Sequence, residues 1–161
     1  MVIGAGEMKP VLRRVWNFLD AVRDPEIPVL SIHDLGVLRE LRIDRNRVTV
    51  VITPTYTGCP AMLVIKREIE VCLKRAGYRR IIIETQLSSA WTTDWITPRG
   101  QKKLRRYGIA PPQANWPHSP VPCPRCGGYA TRVISEFGAT ACRALFTCDN
   151  CLEPFDYFKC L

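Results

Sequence analysis

Val48-Thr49-Val50-Val51-Ile52-Thr53-Pro54-Thr55-Tyr56-Thr57-Gly58-Cys59-Pro60-Ala61-Met62 decides how the first half of this chain folds. The β-branched run Val48 to Ile52 predicts a strand. An apolar pattern at helical spacing follows from Ala61 to Ala76, so a strand hands over to a helix in the turn between them. Gly58 lets that turn be tight. Pro60 suits the first helical position, where its missing N–H would be unpaired anyway. Cys59 therefore falls at a helix N-terminus. Unpaired N–H groups and the macrodipole favour negative charge there. A thiol so placed shifts towards thiolate, the form that attacks and that binds metal. The alternative is a cysteine that merely packs in the turn.

Upstream, Met8 to Val22 reads as an amphipathic helix, with Met8, Val11, Leu12, Val15, Phe18, Leu19 and Val22 on one side. Asp24-Pro25 is expected to end it, because a residue before proline avoids the helical region. Asp24-Pro25-Glu26-Ile27-Pro28 then forms a rigid acidic loop. Residues 37–43 and 47–53 predict a β-hairpin around Asp44-Arg45-Asn46. Downstream, Met62, Ile65, Ile69, Cys72 and Ala76 share a helical face, which places Cys72 in the core, and Gly77 is a C-cap. Arg80 to Leu87 predicts a third strand, parallel to the second through a right-handed crossover. Val50, Ile52, Ile65, Ile69 and Ile82 are expected core members. The fold class is α+β: a small mixed sheet with helices packed on it, followed by a second module.

Trp91 and Trp95 lie in a loop that reads as exposed. Thr97-Pro98 predicts a helix start, with Thr97 as N-cap, and Gly108 its end. Five prolines crowd 110–122, which marks a linker. The expected division is 1–109, linker 110–122 and 123–161.

The second module carries the strongest chemical signal. Cys123-Pro124-Arg125-Cys126 and Cys148-Asp149-Asn150-Cys151 are two Cys-x-x-Cys knuckles. Each pair grips one side of a tetrahedral ion, and the segment between returns as a hairpin. A zinc ribbon on Cys123, Cys126, Cys148 and Cys151 follows. Two matched pairs argue against a redox dithiol, whereas an iron–sulphur cluster suits the same soft ligands. So small a module buries little core, so the metal holds it together. Cys142 and Cys160 remain as small buried hydrophobes, with Cys142 as a candidate second thiol.

The chain has 161 residues and a formal charge of +8. Zinc on four thiolates lowers this to about +6. Such an excess permits contact with nucleic acid or with an acidic protein and proves neither. No apolar run reaches the ~20 residues of a membrane span, and Met1 to Lys9 contains no secretory h-region. Cysteine usage fits metal in a reducing cytoplasm rather than disulfides. The basic run Arg99, Lys102, Lys103, Arg105 and Arg106 reads as a solvated helix face. Nucleic-acid binding is disfavoured, because only Tyr107 accompanies it. No phosphate loop, dinucleotide fingerprint or Ser/His/Asp arrangement is apparent, and His33 and His118 are far apart. Asp24, Glu26 and Asp34 read as loop caps or as groups tuning Cys59.

Several stretches carry a resemblance. Asp24-Pro25-Glu26, Asp34-Leu35-Gly36, Gly58-Cys59-Pro60 and Trp91-Thr92 resemble the iron–sulphur assembly domain of SufT-like proteins. Thr53 to Pro60, Trp91 to Ile96, Tyr107 to Pro112 and the tail Cys148 to Lys159 are similar to its phenylacetate-degradation branch, the PaaD (PaaJ) family. The resemblance implies an accessory or maturation role beside a multicomponent phenylacetyl-CoA oxygenase. The implied partners are its subunits or its reductase, with iron or an iron–sulphur centre as cargo. Cys59 is then the functional thiol, supported by Thr57, Asp24 and Glu26. No Glu-x-x-His pair of a di-iron bundle occurs, so the chain is read as a non-enzyme. The rival readings are a non-catalytic structural subunit and a zinc-ribbon nucleic-acid binder. A homodimer is compatible with each.

Overall fold

The computed structural model describes residues 10–113 and 119–159. Two compact units divide after Trp91. The first contains α1 (Pro10–Leu19), β1 (Leu38–Asp44), β2 (Arg47–Ile52), α2 (Ala61–Arg75) and β3 (Arg80–Thr85). β2 lies centrally, antiparallel to β1 and parallel to β3. The hairpin and the crossover strand are thus as the sequence predicts.

α1 stops at Leu19, before the Asp24-Pro25 breaker. The backbone of residues 22–24 is used elsewhere. Val22 accepts from Ile32 N–H, and Asp24 N–H donates to Leu30. Arg23 and Ser31 form an antiparallel bridge. The predicted helix start at Met8, the h-region reading of Met1 to Lys9, His118 and Cys160 all lie outside the described residues.

β2 is buried along Val48–Ile52. α2 buries Ala61, Met62, Ile65, Ile69 and Leu73 in the same unit. Ile82, predicted as core, is 41% exposed. Successive strand residues face opposite sides. Ile81 and Ile83 pair with Val48 and Val50, which leaves Ile82 opposite Thr49 on the other face. Cys72 is half-buried rather than core. Leu73 takes the inward place, and Cys72 Sγ donates to the Phe18 carbonyl at 3.1 Å. α2 ends as predicted at Gly77, φ +92°. Gly77 N–H reaches the Lys74 carbonyl and Tyr78 N–H the Leu73 carbonyl, the two bonds of a Schellman motif.

Trp91 is buried, which corrects the exposed reading. Its indole N–H donates to the Leu35 carbonyl at 2.8 Å and ties the segment after β3 to the Asp34-Leu35-Gly36 loop.

The second unit holds a 3-10 turn (Thr93–Trp95), α3 (Pro98–Tyr107), β4 (Ile109–Ala110), β5 (Thr131–Ser135), β6 (Arg143–Cys148) and β7 (Pro154–Phe158). Thr97 caps α3 by accepting Gly100 N–H at 3.0 Å, and Gly108 ends it in the left-handed region. The strand order is β4-β7-β6-β5. β4 is unforeseen: Ile109 and Ala110 pair with Asp156 and Tyr157. By contacts the second unit begins at Thr92 and so includes α3. Ala110 and Val121 belong to the ribbon core with Cys123, Ala144, Phe146, Cys148, Phe155 and Tyr157. Both ends of the proline-rich stretch are thus anchored in this unit. No helix among the described residues is long and apolar enough to cross a membrane.

Trp91→Phe keeps most of the buried volume and orphans the Leu35 carbonyl. We expect a loss of about 1–2 kcal/mol from the first unit, read by urea unfolding followed by circular dichroism. An unchanged midpoint would show the bond to be dispensable.

Candidate functional site

The four knuckle cysteines converge in the second unit. One sulphur from each lies within 4.8 Å of every other. Cys123 and Cys151 sulphurs are 3.8 Å apart, and those of Cys126 and Cys148 are 3.6 Å apart. A tetrahedron with Zn–S bonds of ~2.3 Å has edges of about 3.8 Å. The cluster therefore fits zinc by geometry as well as by donor type.

The backbone explains the convergence. Gly127 N–H donates to the Cys123 carbonyl, and Leu152 N–H to the Cys148 carbonyl, each at 2.9 Å. Gly127 has φ +75° and Leu152 φ +61°. Each knuckle is the same turn, closed by a left-handed residue after its second cysteine. Glycine serves in the first, whereas the second bears a leucine that is 80% exposed. A Cβ at Gly128 would lie 2.1 Å from the Asn150 amide nitrogen, so a larger residue there requires the Asn150 side chain to move.

The electrostatics call for a cation. N–H groups of Cys151 and Asn150 favour the Cys148 thiolate against burial and hold that thiol down at about 7. The Glu153 N–H favours the Cys151 thiolate, yet burial and the neighbouring sulphurs outweigh it and push Cys151 up to about 12. Four thiols this close do not all ionise without positive charge between them. Zinc supplies that charge and, when bound, cross-links the two knuckles.

Cys142 is buried, with its sulphur 3.1 Å from Thr140 Oγ1. Its carbonyl accepts Lys159 N–H at 3.0 Å. Lys159 is itself buried, donates to the Glu136 carbonyl and sits over the Phe137 ring.

In the first unit, Gly58 turns the chain at φ +83°. Cys59 follows, partly buried, and Thr57 is exposed. α2 begins one residue later than expected, at Ala61, with Pro60 as the cap residue in helical conformation and no side chain capping it. Cys59 N–H donates to the Tyr56 carbonyl, and its own carbonyl accepts Met62 N–H at 3.2 Å. At the start of this turn Thr53 is 2% exposed, and its hydroxyl has no hydrogen-bond partner among the described residues.

Asp24 Oδ1 accepts the N–H groups of Glu26 and Ile27, at 2.9 and 2.8 Å. That oxygen is a turn cap. Asp34 is fully buried and exchanges bonds with Ser31: its Oδ2 accepts Ser31 N–H, and its own N–H donates to Ser31 Oγ. Ser31 Oγ donates to Asp20 at 2.7 Å, and His33 Nδ1 lies 3.8 Å from the same carboxylate oxygen. This Ser/Asp/His grouping escaped the sequence reading, because Asp20 comes from the end of α1. Ser31 is fully buried and faces the carboxylate, so the grouping is built for structure rather than for nucleophilic attack.

A sheet-and-helix unit with a turn cysteine, followed by a four-cysteine ribbon, defines a class: an assembly-type domain joined to a metal ribbon. Residues 12–78 match the family described as iron–sulfur cluster assembly protein, and residues 110–159 the PaaD zinc beta ribbon domain. The chain is 45% identical over 156 residues to an Escherichia coli (strain K12) protein named as a candidate subunit of 1,2-phenylacetyl-CoA epoxidase, covering 94% of each. The chain belongs to the PaaD family. In fold, it resembles a DUF59 domain from Bacillus anthracis, with TM-score 0.55 and 22% identity over 58% of this chain and 90% of that one. A conserved hypothetical protein from Thermotoga maritima gives TM-score 0.50 and 26% identity over 63% and 98%.

Metal analysis should find about one zinc per chain, and Cys148→Ser should lose it and unfold the ribbon while the first unit keeps its own transition. Zinc retained by that variant would contradict the assignment. Leu152→Gly relieves an unfavourable φ and gives up little packing. It should stabilise the zinc-loaded ribbon by about 1 kcal/mol in thermal unfolding, and a loss of stability would show that Leu152 makes a contact that matters.

Proposed function

We propose that this chain is an accessory or maturation factor for a phenylacetyl-CoA oxygenase in the cytoplasm. It orders or delivers iron, or an iron–sulphur centre, for an oxygenase subunit or its reductase, with the Cys59 thiolate as the working ligand. The supporting observation is the Gly58-Cys59-Pro60 turn at the head of a 15-residue helix, within the stretch that matches the assembly family. Cys59 is partly exposed, and its thiol makes no hydrogen bond among the described residues. The helix start has no side-chain cap, and its dipole points its positive end towards residue 59. Thr57 is exposed two residues away, and the Asp24/Glu26 loop adds carboxylates to the same unit.

The relative's name, which makes it part of an epoxidase, favours a second reading as a structural component of the oxygenase. The two differ in one respect: a structural component has no use for a free, soft thiol at residue 59. The basic residues of α3 are assigned to solubility or protein contact, since only Gly100 and Leu104 of that helix are buried.

Cys59→Ser nearly preserves volume and removes the soft ligand. Folding and ribbon zinc should stay intact, while oxygenase components purified from cells carrying the variant lose both iron and turnover. Cys72→Ser should alter the stability of the first unit and leave the client's iron unchanged. Fully loaded, fully active oxygenase from the Cys59→Ser cells would return Cys59 to a packing role.

A further inference from the structure

One corner of the first sheet concentrates positive charge. Arg45 comes from the β1–β2 turn, Arg47 from the first position of β2, Arg79 from just before β3 and Arg80 from its first position. With Asp44 and Asn46 they line a concavity of about 550 Å³. The parallel register sets Arg47 directly beside Arg80, and like charges so placed destabilise a sheet. Asp44 offsets one of them, accepting from Arg47 at 3.2 Å. Arg45, Arg79 and Arg80 have no carboxylate partner among the described residues. Elsewhere on the same sheet charge is matched: Arg42 bridges Glu40 and Glu84. Arg45 also stands at φ +51°, a conformation that glycine or asparagine adopts at lower cost.

We propose that this corner binds a small anion bearing a diphosphate group. Guanidinium forks match pairs of phosphate oxygens. The concavity falls within the ~300–1,000 Å³ usual for small ligands. Its lining has no aromatic or aliphatic side chain, so it offers neither a stacking platform for a nucleic-acid strand nor a seat for an apolar anchor of a protein partner. Charge is all it recognises, and a bound diphosphate cancels the repulsion between Arg47 and Arg80. Inorganic diphosphate and nucleotides share that group.

The test is calorimetric titration of the full, zinc-loaded chain with inorganic diphosphate and with ADP, with polyglutamate and a single-stranded oligonucleotide as separate arms. Diphosphate or ADP should bind and weaken as salt is added. Arg79→Gln/Arg80→Gln should weaken that binding about tenfold or more. Arg45→Asn, which also relaxes the backbone and so folds at least as readily, should weaken it in the same direction. Arg105→Gln/Arg106→Gln on α3 should change nothing. Equal affinity assigns the site to free diphosphate and tighter ADP binding to a nucleotide; either supports the proposal. Binding of neither, binding indifferent to Arg79 and Arg80, or preference for polyglutamate or the oligonucleotide overturns it.

Discussion

Hydrogen bonding of β2 on both sides is the constraint on which the first unit depends. The strand is locked antiparallel to β1 and parallel to β3, with Val48, Val50 and Ile52 fully buried. A slip of one residue would break two ladders and turn those side chains outward. The strand's end is therefore fixed in space, with Thr53 N–H held by the Val37 carbonyl. The turn that carries Gly58 and Cys59 leaves the sheet at that point and is closed locally by the Cys59 N–H on the Tyr56 carbonyl. Trp91 secures the Asp34-Leu35-Gly36 loop, which enters β1 at the same end of the sheet, through one bond to Leu35.

The ribbon solves a different problem. Its core contains only a few large residues, chiefly Phe146, Phe155 and Tyr157, stacked or edge-on at 5.5–5.7 Å. Cys123 and Cys148 are themselves part of that core. The metal cluster and the hydrophobic cluster are thus one object, and removing the ion would leave mutually repelling or protonated thiols where packing is needed. Two independently written knuckles adopt one turn, despite the leucine at the left-handed position of the second. That common turn is the one a shared tetrahedral ion requires.

Much of this was legible. Strand–turn–helix, hairpin, parallel return, the Thr97 cap and the four ligands follow from signals written locally: strand and helix periodicity, a cap residue and two Cys-x-x-Cys spacings. The misreadings are of two kinds: which neighbour in a local run faces inward, and which distant partner a residue finds. Ile82 looks like core in a row of three isoleucines, yet strand alternation turns it away. Cys72 loses its inward place to Leu73. Trp91 finds Leu35, and Ile109-Ala110 finds β7, across separations that no local pattern encodes. The Ser31–Asp20–His33 grouping is of the same kind. The arginine corner was also invisible, because the turn and the entry to β3 are brought together only by the parallel pairing of β2 with β3.

The most direct measurement is an anaerobic pull-down with the full chain as bait, with metal analysis of the bait and of everything retained. The account predicts an oxygenase component or its reductase among the retained proteins. It also predicts iron on the bait beyond the ribbon zinc, lost when Cys59 is serine. Retention of no oxygenase component, or the same iron with serine at that position, would contradict it.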